Sequence, residues 1–203
     1  MKMNIGIVPA VREIYKNQFE FTVDTKWIKF LKKVYPNCNV KFLSSRNKDD
    51  KFDLIIFSGG NDLIKNDKSK KNKIRKKIDD FYYKLSTKNE IPLIGICHGA
   101  AYFGEKFGCK IKKKTGHVGN HKILLTKKNY FEKVKPSIKV NSYHNYAITA
   151  VSKKFEILAY CDDKTFELIR HKKKKILCIM WHPERNNKIS NLDIQIFKKF
   201  ICN

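Results

Sequence analysis

The chain has 203 residues, 42% of them hydrophobic, which is enough apolar material for one well-packed domain and too much for a disordered tail. Its 44 Lys and Arg against 19 Asp and Glu give a formal charge of +25. No apolar run approaches the roughly 18–20 residues needed to cross a bilayer, and the first is shorter than a secretory signal's core of roughly 7–15 residues, so neither a membrane span nor export is expected.

In chain order, residues 5–8 form a short apolar run that reads as a buried first strand. Trp27, Phe30, Leu31 and Val34 then fall at i, i+3, i+4 and i+7, one face of a helix. Residues 40–43 and 54–57 read as two further strands. Ile74, Ile78, Phe81, Tyr82 and Leu85 mark a second helix, and the lysine-rich stretch 68–77 at its start reads as a solvated face. Residues 93–97 form a strand that runs straight into a helical pattern from His98. Between about 109 and 170 the pieces are shorter and more polar, as in an antiparallel addition. The run His-Lys-Lys-Lys-Lys at 171–175 reads as a turn before the strand 176–181. Leu192, Ile196, Phe200 and Ile201 make a last helix, capped by Ser190 or Asn191.

Continuous apolar strands alternating with amphipathic helices predict a doubly wound α/β domain over residues 1–203, with a mostly parallel sheet covered on both faces. Sites in such sheets form beyond the carboxyl ends of the strands.

The charge says less than its size suggests. Only Arg12, Arg46, Arg75, Arg170 and Arg185 are arginine, and a nucleic-acid surface normally interleaves arginines and exposed aromatics. No nucleic-acid or membrane partner is expected; a field favouring small anions is. Arg12 and Arg185 suit bidentate contacts to phosphate, although surface ion pairing is the more ordinary expectation for each. Cys38, Cys97, Cys109, Cys161, Cys178 and Cys202 fall at irregular spacings with no Cys-x-x-Cys pair, which suggests neither a disulfide framework nor a zinc site and fits a reducing cytoplasm.

Cys97 stands apart from the other five. It ends a strand, begins a helix, and has Gly95 and Gly99 at −2 and +2. A strand, a tight turn and a helix make a nucleophile elbow, whose flanking positions must be small. A helix N-terminus favours the thiolate form, and the following N–H, that of His98, points where an oxyanion would form. A second strand ends at Met180-Trp181-His182-Pro183-Glu184, offering an imidazole with a carboxylate two residues on to orient it. A third ends at Ser58-Gly59-Gly60-Asn61-Asp62, whose glycine pair lets backbone N–H groups approach a ligand. Each piece alone has a structural explanation: a buried thiol, a strand-end histidine, a common turn.

Together, and in this order, they resemble the class I glutamine amidotransferases and the related γ-glutamyl hydrolases over essentially the whole chain. The resemblance implies a cysteine hydrolase acting on a γ-glutamyl amide through a glutamyl thioester. It assigns Cys97 as nucleophile, His182 as base and acid, Glu184 as orienter, and the Gly60 and His98 N–H groups as oxyanion donors. Gly59 and Asn61, and Ser142, Tyr143, His144, Asn145 and Tyr146 in a stretch similar to the family's Asn-His-Gly-Phe-Ala, are the implied substrate contacts. Thr115-Gly116-His117-Val118-Gly119-Asn120-His121 is similar to another family loop; the spacing of His117 and His121 supports no metal, and neither metal nor cofactor is expected.

Ala101 departs from the family, which usually carries glutamine there when free glutamine is the substrate. The portion 21–27, the turn at 58–62 and the stretch 141–146 look most like a branch acting in phosphoramidate decoration of bacterial capsular polysaccharide. That implies a small anionic nucleotide conjugate, γ-glutamyl-CDP-amidate, cleaved to glutamate and cytidine diphosphoramidate. The alternatives are a glutaminase subunit feeding ammonia to a separate synthase partner, and a catalytically silent α/β binding module. Homo-oligomerisation stays open.

Overall fold

The computed structural model describes residues 2–44, 51–126 and 131–202. In chain order its elements are β1 (Met3–Val8), β2 (Ala10–Tyr15), β3 (Gln18–Thr22), α1 (Lys26–Val34), β4 (Cys38–Phe42), β5 (Leu54–Phe57), α2 (Lys70–Asn89), β6 (Leu93–Ile96) and α3 (His98–Lys106). These are followed by β7 (Lys110–Lys113), β8 (Val118–Leu125), β9 (Ser137–Tyr143), β10 (Tyr146–Ala150), β11 (Phe155–Tyr160), β12 (Phe166–His171), β13 (Ile176–Ile179), a 3₁₀ turn (Pro183–Arg185) and α4 (Asn191–Cys202).

The strands β4-β1-β5-β6-β13 lie side by side and pair in parallel. β12 adds antiparallel to β13, and β11, β8 and β9 extend the same sheet, while β10 pairs with β12 and β7. β2 and β3 form a separate hairpin. This is the doubly wound α/β architecture with an antiparallel portion that the strand and helix pattern predicts.

β5, β6 and β13 are buried at every residue, because helices cover both faces of the sheet there. On one face α1 and α4 supply Trp27, Phe30, Phe197 and Phe200; on the other α2 and α3 supply Ile78, Tyr82 and Phe103. Phe30 meets Phe197 edge-on at 4.9 Å, locking α1 to α4. Ser190 is the α4 cap: its Oγ accepts from the Asp193 N–H at 3.0 Å and its hydroxyl donates to Asp193 Oδ2 at 2.6 Å.

Two expectations need correction. The strand at 40–43 lies at the sheet edge as β4, so its residues are exposed or only partly buried, and Leu43 is buried just past its end. The run 68–77 is not wholly solvated either, since Asn72 and Arg75 within it are 1% and 0% exposed. The reason is electrostatic. α2 crosses the carboxyl ends of β1 and β5, where the carbonyls of Pro9 and Ser58 need donors, and Arg75 supplies two at 2.8 Å each. No helix among the described residues is long and apolar enough to cross a membrane.

Candidate active site

β5, β6 and β13 are adjacent and parallel, with Phe57 level with Gly95 and Ile96 level with Ile179. Their carboxyl ends therefore deliver the turn 58–60, Cys97 and His182 to one edge of the sheet. The Cys97 N–H still bonds Ile179 O at 2.8 Å, and Cys97 O already accepts from the Ala101 N–H at 2.9 Å. One residue thus closes the ladder and opens the helix. The reversal forces Cys97 to φ 51°, a region that costs a side-chain-bearing residue about 1–3 kcal/mol. The glycines are needed for close approach: a Cβ on Gly95 would lie 2.4 Å from the Gly99 carbonyl carbon, and one on Gly99 would lie 2.3 Å from Phe57 O. Cys97 is partly exposed, whereas Cys109, Cys161 and Cys178 are buried.

His182 is 2% exposed, and its Nδ1 faces Glu184 Oε1 at 2.7 Å. Pro183 starts the 3₁₀ turn that swings Glu184 back under the ring. The Asn141 amide clamps the His182 backbone, accepting from its N–H at 2.9 Å and donating to its carbonyl at 2.7 Å. The imidazole's other side meets the elbow. A point one Cβ bond above Gly59 lies 2.5 Å from His182 Cε1, 3.1 Å from Nε2 and 3.2 Å from Cys97 Cβ, so only glycine leaves room for both. Burial alone would lower the His182 pKa, but Cys97 and Glu184 outweigh it and raise it to about 9.

A histidine whose pKa rises from 6.5 to about 9 on folding adds stability that is fully present below pH 6.5 and lost as pH climbs through 9. Urea unfolding should therefore show a loss of roughly 3 kcal/mol between about pH 6 and about pH 9.5, and a smaller loss in Cys97→Ala. A flat profile across that window contradicts the pairing.

Beneath the elbow lies a buried network that sequence reasoning missed. Arg75 Nε donates to Asp79 Oδ1 at 2.8 Å, and Asp79 Oδ2 accepts from His98 Nε2 at 2.8 Å. His98 Nδ1 in turn faces Asn61 O at 3.1 Å. Burial would raise the Asp79 pKa; Arg75 and His98 together hold it below the usual carboxylate range. A signal existed in the sequence, since Arg75 and Asp79 sit four apart on α2, but among so many lysines it read as surface.

A cavity of about 240 Å³ opens at Cys97, bordered by Gly60, His98, Ala101, Tyr143, Asn145 and Tyr146. A second, of about 150 Å³, lies across Gly60, against His182, Glu184, Arg12 and Arg185. Tyr143 stands edge-on over the His182 ring at 5.6 Å, and Arg185 lies over Tyr143 at 4.9 Å. Arg185 also pairs with Asp24 at 3.4 Å. Among the described residues bordering the Cys97 cavity there is no lysine or arginine.

Three of the implied substrate contacts turn their side chains inward. Asn61 spends its side chain on Val11 and Asn72, pinning the β2–β3 hairpin to the turn. Ser142 is 1% exposed and donates to His117 O at 2.6 Å. His144, 5% exposed, borders the cavity with its imidazole beside Glu167 and the ring of His117. Tyr143 and Asn145 are the exposed members of that stretch.

Residues 13–202 match the family model of class-I glutamine amidotransferases. The chain belongs to that family. Within the class I amidotransferases it is 33% identical to the γ-glutamyl-CDP-amidate hydrolase of Campylobacter jejuni, over 72% of this chain and 68% of that protein. It is 30% identical to one subunit of the glutamine-hydrolysing GMP synthase of Picrophilus torridus, over 73% and 75% of the two chains. A glutamine amidotransferase from Thermotoga maritima shares the fold, with a TM-score of 0.68 over 98% of this chain and 84% of that one, at 13% identity.

Proposed function

We propose that this class I amidotransferase-family protein hydrolyses a γ-glutamyl amide, with Cys97 as nucleophile, His182 as base and acid, and Glu184 as orienter. The observation that carries the reading is the strained elbow cysteine sharing one glycine-sized gap with a carboxylate-oriented imidazole. The His182 imidazolium already holds the thiol proton when sulfur attacks the γ-carbonyl carbon, and the tetrahedral oxyanion forms toward the Gly60 and His98 N–H groups. His182 then gives that proton to the leaving nitrogen, and the C–N bond breaks to leave a glutamyl thioester. Water, deprotonated by the same imidazole, attacks the thioester, releasing glutamate and restoring the thiol.

The substrate we favour is γ-glutamyl-CDP-amidate, giving glutamate and cytidine diphosphoramidate for phosphoramidate decoration of capsular polysaccharide. It is supported by the similarity to a hydrolase of that name and by Ala101, a short side chain where glutamine-using relatives place a polar one. A diphosphate leaving past Gly60 would meet Arg12 and Arg185. The similarity to a GMP synthase subunit favours a second reading, ammonia supply to a separate synthase.

Glutamate release measured across γ-glutamyl-CDP-amidate, free glutamine and simple γ-glutamyl amides separates the two. The nucleotide conjugate should exceed glutamine by at least about 100-fold in kcat/KM, the scale of a few polar contacts. Faster turnover of glutamine, rising when a synthase is added, would replace the hydrolase reading with the second one.

A further inference from the structure

Behind the cavity wall, on the antiparallel side of the sheet, three histidines close on one carboxylate. Glu167, on β12, is 0% exposed. Its Oε1 lies 3.7 Å from His117 Nδ1 and 3.6 Å from His144 Nε2, and its Oε2 lies 3.3 Å from His121 Nε2. None of these contacts has hydrogen-bond geometry, and both Glu167 oxygens and five of the six ring nitrogens are buried without a hydrogen-bond partner among the described residues. So many orphaned polar atoms in one place carry a penalty of about 1–3 kcal/mol each unless something else engages them.

The sixth nitrogen shows how the others are aimed. His117 Nε2 donates to Asp163 Oδ2 at 3.0 Å, and Asp163 is itself fixed by the Thr165 N–H and hydroxyl. With the proton on Nε2, the Nδ1 lone pair points toward the Glu167 carboxylate. Two electron-rich atoms facing each other in a buried space repel unless a cation lies between them. The three rings sit 4.8–6.1 Å apart, centroid to centroid, around Glu167. A metal ion would engage the facing lone pairs together. Donors bound tetrahedrally at about 2.0–2.1 Å stand about 3.4 Å from one another, and the ligand atoms of His117, His144 and Glu167 all lie within 4.8 Å of one another. A carboxylate holding the far nitrogen of a ligand histidine, as Asp163 does, is the usual support for such a ligand.

We propose that His117, His144 and Glu167 bind a divalent transition-metal ion of the zinc type, as its three protein donors. The site joins the start of β8, the β9–β10 turn and β12. It therefore clamps the segment carrying Tyr143 and Asn145 at the cavity mouth, in a structural role independent of the hydrolase chemistry. The donors lie far apart in sequence, which is why their spacing gave no hint of a metal.

The test is metal stoichiometry on the full chain, by elemental analysis after purification and by Zn²⁺ and Co²⁺ titration of chelator-stripped protein. One equivalent should bind, with the visible absorption of four-coordinate Co²⁺ and a higher Tm once Zn²⁺ is restored. Glu167→Gln and His144→Gln should each weaken binding by more than about 100-fold, since losing an outer-shell partner alone costs about 10–100-fold. Cys97→Ser should keep the full equivalent. Stripped wild-type protein that takes up no stoichiometric Zn²⁺ or Co²⁺ overturns the proposal, whether or not the variants fold. So does loss of the metal in Cys97→Ser, which would move the ion to the elbow.

Discussion

Cys97→Ala is expected to lower kcat/KM for glutamate release by at least about 10⁴-fold while leaving Tm within a few degrees of the wild type. The size follows from the kind of step removed: with no nucleophile there is no thioester, and the remaining groups can only position substrate. The preserved fold follows from local structure. Alanine keeps the Cβ, the backbone bonds to Ile179 and Ala101, and the same φ, so the elbow strain is neither added to nor relieved. His182→Asn should cost nearly as much activity, because the proposed mechanism gives one imidazole both proton transfers. Glu184→Gln should cost less, roughly 10²–10³-fold, since it orients and polarises the ring without touching substrate. Steady-state glutamate release with purified variants, each checked by thermal melt, reads this order. A Cys97→Ala protein that turns over at the wild-type rate removes the thiol from the chemistry and leaves a strained cysteine unexplained.

Much of this architecture is legible in the chain because the information is local. Uninterrupted apolar quartets such as Leu54–Phe57 and Ile176–Ile179 have no surface to face, so they mark central parallel strands. Gly95, Cys97 and Gly99 announce the elbow, since only that packing needs both glycines. His182 and Glu184 lie two residues apart and meet across a single turn. What stays hidden depends on residues joined only by the fold. Asn141 reaches His182 across 41 positions, and Glu167 gathers histidines from two other segments. Ser142 and Asn61 fit a substrate-loop pattern by sequence, yet β9 faces Ser142 toward His117, and the β2–β3 hairpin claims Asn61. Pattern reading assigns a residue to a neighbourhood; which way its side chain turns is settled by the element packed against it.

Arg75 carries the largest expected effect on stability. Its guanidinium is fully buried and makes three bonds of 2.8 Å, to Asp79, to Pro9 O and to Ser58 O. Arg75→Ala leaves two strand-end carbonyls without these donors and Asp79 with only His98, and breaking a buried pair from one side costs about 3–5 kcal/mol. For a chain of this length that is a fall in Tm of roughly 6–20 °C. Arg75→Lys should recover part of it, because a single ammonium can satisfy one acceptor well but lacks the planar fork that spans three. The damage should also reach the site, since Asp79 fixes His98 and His98 holds Asn61 O, which together set the turn against the elbow. At a temperature where the variant remains folded, kcat is therefore expected to fall about 10-fold or more with a smaller change in KM, the pattern of lost transition-state positioning. An Arg75→Ala protein that melts with the wild type would show that the buried charge contributes nothing net, and that the Gly59–Asn61 turn is held by the sheet alone.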